Sequence, residues 1–210
     1  KNDNTKCVDI LYNCEYYDNE SVSQTVLHGS NTLLWALSQK NGISRKIIKD
    51  YMNPELMAYT EVFGNNVLQV AAMYYPAAVS DLLNSDHMTV EVFKNRNHLG
   101  ENALFSAAKH GQTSSFKKLL NYPYTNMDDL IRYHMDYGSV LTEACINNEA
   151  KIVSMILQWD KCGHKLMNTL HNSVTFFHLA CRYSPDVVKV CVQSDVDMEP
   201  FFMMMSNGKY

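Results

Sequence analysis

One small residue returns along the whole chain at nearly constant spacing: Ala36, Ala71, Ala107, Ala144 and Ala180, with steps of 35, 36, 37 and 36 residues. A period of this size means the chain is built from stacked copies of one supersecondary unit, so the repeat has to be settled before any local pattern. The flanking positions fall into register with it. Three residues before each alanine stand Leu33, Leu68, Leu104, Leu141 and Phe177, and one residue after stand Leu37, Ala72, Ala108, Cys145 and Cys181. Seven residues before stand Gly29, Gly64, Gly100, Tyr137 and Ser173, and Gly208 opens a further unit.

Counting back seven more gives an apolar column, Val22, Met57, Phe93, Leu130, Leu166 and Phe201. Another column closes a second helical pattern at Leu11, Ile48, Leu83, Leu120, Leu157 and Val192. These columns predict a turn, a short helix, a second helix and an extended return. Paired small residues let neighbouring first helices approach closely, and the large residue before them fills the gap. The second helix carries an apolar stripe, as in Ile152, Val153, Ile156 and Leu157. Each unit alone leaves apolar faces open, so stability must be shared between neighbours.

The columns resemble the ankyrin repeat. The family's opening is similar to Thr175-Phe176-Phe177-His178-Leu179-Ala180-Cys181 and to Gly100 through Gly111, which runs on into Phe116-Lys117-Lys118-Leu119-Leu120. Gly64 to Ala72 repeats the pattern. The resemblance covers essentially the entire chain and implies an all-α solenoid of stacked helix-turn-helix units with hairpin-like connections. The expected units are 29–63, 64–99, 100–136, 137–172 and 173–207. A partial repeat covers 1–28, 208–210 begins another, and the whole makes one continuous domain. No unit carries the family's proline, and the steps exceed its usual length of about 33 residues. The extra residues should lengthen the connection after the second helix, with an added helical turn in Met127 to His134 and in Asn53 to Thr60. Both ends fall mid-repeat without a polar cap, so the sequence reads as a segment of a larger protein.

The resemblance also implies a protein partner, held on the face of the first helices and at the hairpin tips. The two positions after each small pair are Ser38 and Gln39, Met73 and Tyr74, Lys109 and His110, Ile146 and Asn147, Arg182 and Tyr183. From this row the expected partner-binding residues are Met73, Tyr74, Lys109, His110, Asn147, Arg182 and Tyr183, because Tyr and Arg join large area to directed hydrogen bonds. The tip residues Phe63, Leu99 and Tyr137 are apolar for a solvated hairpin, and either extend that interface or pack on the next hairpin. A second possibility is a spacer or spring with no partner of its own.

Other classes find little support. A formal charge of −4 and the lack of a basic block argue against a nucleic-acid binder, and no apolar run approaches a membrane span. Six cysteines in 210 residues are too few for a disulfide scaffold. Cys145, Cys181 and Cys191 lie in apolar helical patterns and read as reduced core thiols, which points to an intracellular, cytoplasmic setting. Cys7 and Cys14 are two helical turns apart, too far for a bridge. Cys162, His164 and His171 form the most metal-like cluster but lack zinc spacing and a fourth ligand. Asp128 and Asp129 read as a helix start. No phosphate-cradling glycine loop or nucleophile elbow occurs, so no catalytic residue, metal or cofactor is expected. His178 occupies a position where the family's histidines bond to backbone. Met203, Met204 and Met205 read as filling between repeats, with an adaptable binding surface as the alternative.

Overall fold

The structure is a computed structural model that describes residues 31–40, 42–131, 138–159, 170–171 and 174–194. It divides into two compact units, residues 1–124 and 125–210. The described residues hold thirteen α-helices and one antiparallel pair of two-residue strands.

The first unit contains α1 (Thr32–Ser38), α2 (Ile43–Tyr51), α3 (Pro54–Ala58), α4 (Val67–Tyr74), α5 (Pro76–Leu83), α6 (Val90–Lys94), α7 (Ala103–Lys109) and α8 (Thr113–Leu120). The second contains α9 (Asp128–Ile131), α10 (Val140–Ile146), α11 (Ala150–Gln158), β1 (Leu170–His171), β2 (Val174–Thr175), α12 (Phe176–Tyr183) and α13 (Pro185–Gln193). The added turns expected near Asn53 and Met127 are α3 and α9. A third, α6, arises in the same place between them, started by the Thr89 hydroxyl, which accepts from Val92 N at 3.2 Å.

Four first helices begin the same way. Asn31, Asn66, Asn102 and Ser139 each stand five residues before the column alanine and accept the backbone N–H three residues on. Such a cap satisfies a donor that the helix cannot, and contributes about 1 kcal/mol. At Asn66 the cap is reciprocal, since Asn66 N donates to Gln69 Oε1 at 2.9 Å.

The first and second helices are joined by two kinds of turn, both governed by the fourth residue after the alanine. Lys40, Gly111 and Asn148 hold left-handed conformations there, with φ of 54°, 63° and 55°. Tyr75 and Ser184 are extended instead, at φ −137° and −142°, and each precedes a proline that opens the next helix. Proline excludes the helical region for the residue before it and has no N–H to lose at a helix start, so it gives the shorter turn.

In the first unit α1 packs on α4 and α4 on α7, while α2 packs on α5 and α5 on α8. In the second, α10 packs on α12 and α11 on α13. Each unit is thus a layer of first helices lying on a layer of second helices. The column alanines Ala36, Ala71, Ala107, Ala144 and Ala180 are fully buried, and Leu33, Leu68, Leu104, Leu141 and Phe177 beside them are no more than 2% exposed. Burying a side chain the size of Phe116, Phe176 or Phe177 contributes about 2–3 kcal/mol.

The structure corrects several details. Cys181 is exposed while Cys145 and Cys191 are buried. Cys181 lies on α12, which among the described elements packs against α10, α13 and β2. Val192 is 59% exposed, and the buried stripe of α13 runs through Val187 and Cys191. The fully buried second-helix column is therefore Ile47, Leu82, Leu119, Ile156 and Cys191, one position earlier than expected. Gly138, just after the expected turn position, has a φ of 83°. Tyr137 lies outside the described residues, as do Cys7, Cys14, Cys162, His164, Gly29, Ser173, residues 201–205 and Gly208. Their expected roles are untouched by these observations.

Candidate protein-binding surface

Two connections in the first unit end in tight tips built on one plan. In the first, Glu61 N donates to Asn65 O at 3.0 Å and Gly64 N to Glu61 O at 2.7 Å. The Glu61 carboxylate closes it, accepting Phe63 N at 2.9 Å, Asn65 N at 3.1 Å and Asn65 Nδ2 at 2.7 Å. Thirty-six residues later Asn97 takes the same part. Asn97 N donates to Glu101 O, Gly100 N to Asn97 O, and Asn97 Oδ1 accepts Leu99 N and Glu101 N. Gly64 and Gly100 supply the left-handed φ that each tip needs, 82° and 79°.

The tips are bonded to each other. His98 N donates to Phe63 O at 2.9 Å, Asn97 Nδ2 to Asn65 Oδ1 at 2.9 Å, and Asn95 Nδ2 to Gly64 O at 3.0 Å. Behind them Asn95 Nδ2 also reaches Gln69 Oε1, Gln69 Nε2 donates to Glu101 O, and Asn66 Nδ2 donates to Val92 O, all at 2.7 Å. Asn66, Gln69, Asn97 and Glu101 are buried, so these amides serve as fixed connectors rather than solvated side chains.

On this rigid backbone Phe63 is 67% exposed and Leu99 53%. They stand at equivalent places, each just before its tip glycine, and neither is buried on the neighbouring hairpin. Between the first tip and the helices α1 and α4 lies a cleft of about 180 Å³ lined by Leu34, Trp35, Ser38, Phe63, Met73 and Tyr74, with Glu61, Asn65 and Val70.

The row expected to meet a partner divides on inspection. Met73 is only 7% exposed and forms cleft wall, so it offers a partner little area. Its position on α4 turns inward because Val70, Ala71 and Ala72 are buried alongside it. Tyr74 is half-buried and meets the exposed His110 edge-on, with ring centroids 5.6 Å apart. The His110 ring is fixed by Nδ1, which donates to Ser106 O at 3.0 Å. Lys109 reaches the buried Glu101 carboxylate at 2.7 Å.

In the second unit Asn147 is exposed and folds back on its own helix, donating to Glu143 O at 3.1 Å and Glu143 Oε1 at 2.9 Å. Arg182 lies over the Tyr183 ring, 5.2 Å from its centroid, and both are exposed. Ile146 is 40% exposed. The row thus yields one ring pair in the first unit and one cation–ring pair in the second. Trp35 lies outside the expected row, and its place in the cleft depends on the tip folding back toward α1.

No family model matches the chain, and no curated protein matches it significantly.

A second groove, of about 610 Å³, lies between α2 and α5, where Arg45 donates to both Asp81 oxygens. Its lining mixes Lys46, Lys49 and His87 with Asp81 and Asp86. Among the described residues no cluster of His, Cys, Asp and Glu is arranged to hold a metal ion. No helix among them is long and apolar enough to cross a membrane.

Proposed function

We propose that this chain is a protein-interaction module of the ankyrin-repeat type, set in a longer cytoplasmic protein and using neither cofactor nor catalysis. Its partner protein lies along the first helices and the hairpin tips. The observation that carries this reading is the pair Phe63 and Leu99, held out in solvent on tips whose backbone is locked by hydrogen bonds. When the backbone beneath an exposed large apolar side chain is already fixed, binding has only the side chain left to order, as expected of interface anchors. The cleft of Trp35, Met73 and Tyr74 beside them offers a socket for one side chain of the partner.

The test places the photo-crosslinker p-benzoylphenylalanine at position 63 or 99 of the parent protein in its own cell. It then compares the products with those of Phe63→Ser, Leu99→Ser. One protein cross-linked from both positions, and lost from complexes of a double variant that melts with the native chain, supports the proposal. An unchanged set of complexes would refute it and favour a spacer.

A further inference from the structure

The second unit carries a cation whose arrangement specifies the partner's chemistry. Arg182 sits in the last turn of α12, exposed, with its guanidinium held over the Tyr183 ring. A guanidinium over a ring face is drawn to the ring's negative face while its outer N–H donors point away from it. The nearest acid in sequence is not available to it: Asp186 accepts Asn148 Nδ2 at 3.1 Å and pairs with Lys189 at 3.5 Å. Among the described residues no carboxylate pairs with Arg182. At the equivalent place on the neighbouring helix α10, Ile146 presents apolar surface, and Tyr183 itself is 48% exposed.

A guanidinium over a ring, with no described carboxylate on its donors and exposed apolar side chains beside it, complements a planar two-oxygen acid beside an apolar group. We infer that the partner segment received by this face is acidic, and that Arg182 takes one of its Asp or Glu carboxylates in a bidentate pair while Ile146 and Tyr183 receive the apolar neighbour. The inference rests on the interaction-module reading and adds the chemistry of the partner. Tyr183 acts as a positioning residue, since it orients the guanidinium and makes no charged contact.

The test uses the full chain as bait for a random dodecapeptide phage library, followed by binding measurements on the recovered peptides. Peptides rich in Asp and Glu next to large apolar residues are expected. Their affinity should fall about tenfold or more on Arg182→Glu, less on Arg182→Lys, which keeps the charge but loses the planar fork. Tyr183→Ala should weaken acidic peptides more than versions with Gln in place of the acids. Salt should weaken native binding and strengthen the residual binding of the Arg182→Glu chain, whose new carboxylate repels the acidic peptide. Because the side chain is exposed, the variants should melt with the native protein, and melting curves check this.

Recovered peptides that are neutral or basic yet depend on Phe63 and Tyr74 would overturn the acidic assignment and leave the interaction face standing. So would acidic peptides insensitive to Arg182→Glu. If no peptide depends on Phe63, Leu99, Tyr74 or Arg182, both the assignment and the face fall.

Discussion

Asn31 and Asn66 offer a controlled measurement of what the connector amides contribute. Both cap a first helix through Oδ1, at 2.9 Å to Leu34 N and 3.0 Å to Gln69 N, and both are fully or almost fully buried. They differ at Nδ2, which in Asn66 donates to Val92 O and in Asn31 has no partner among the described residues. Serine keeps a capping oxygen at either site and removes the same atoms, so the volume lost is matched. Asn66→Ser then leaves the Val92 carbonyl buried and unpaired, a cost of about 1–3 kcal/mol. Asn31→Ser instead removes a buried donor that was already unsatisfied, and its net effect should lie between zero and a gain of about 1 kcal/mol. With a urea slope of about 2 kcal/mol per molar, the two midpoints should separate by about 1 M, Asn66→Ser being the lower. Far-ultraviolet circular dichroism in urea under reducing conditions reads both. Equal losses, or a larger loss at Asn31, would refute the claim that the cross-hairpin amide bond is what distinguishes the sites.

Other consequences can be checked in the same way. A Cβ at Gly64 would stand 2.8 Å from His98 Cδ2 at φ +82°, so Gly64→Ala should cost about 1–3 kcal/mol, and His98→Ala should restore only part, since it clears the contact but not the backbone strain. Lys40 is exposed with φ 54°, so Lys40→Gly should stabilise by about 0.5 kcal/mol, read as a small rise in thermal midpoint. Burial raises the Cys145 thiol well above its ordinary value and takes Cys191 to about 11, so site-resolved alkylation near neutral pH should modify Cys181 first and spare both until unfolding. The unfolded chain ionises these thiols above about pH 9 while the folded chain keeps them protonated, so this contribution to stability falls as pH climbs from about 9 toward 11. Cys145→Ala with Cys191→Ala should flatten that decline in melting temperature.

Much of the architecture was legible because close packing leaves its mark on residue size. A position where two helices touch must be small in every copy, and Ala36, Ala71, Ala107, Ala144 and Ala180 are all fully buried. The capping column was equally readable, as Asn31, Asn66, Asn102 and Ser139 stand in register, yet a search weighted toward apolar residues passes over it. The second-helix column slipped by one because Ile47 and Ile48 are both apolar and both buried. The structure separates the two registers at Ile156 and Leu157, buried against half-buried, and most sharply at Cys191 and Val192, where one is buried and the other open. At the surface, the row after the small pair named the ring pair of Tyr74 and His110 and the stacked Arg182 and Tyr183, but it could not tell that Met73 turns inward. Helix period fixes a direction only to within a residue, and the tip that walls the cleft comes from elsewhere in the chain. The connector amides were invisible for a related reason: Asn95, Asn97 and Gln69 read as ordinary polar loop and helix residues until the tips are brought side by side.

Those connectors also bear on how such a chain can grow. Residues 64–99 contain both halves of the lock, the acceptors Gly64 O, Asn65 Oδ1 and Gln69 Oε1 at one end and the donors Asn95, Asn97 and His98 at the other. A tandem copy of that stretch, inserted after Leu99, would find matching groups at both new junctions. Residues 29–63 end instead in Tyr59 and Glu61, where Asn95 and Asn97 stand one period later, and a copy of them in that place would bring no amide donors to the junction. Length can therefore change by duplication at this point in the gene, whereas the order of the copies is held by their own side chains.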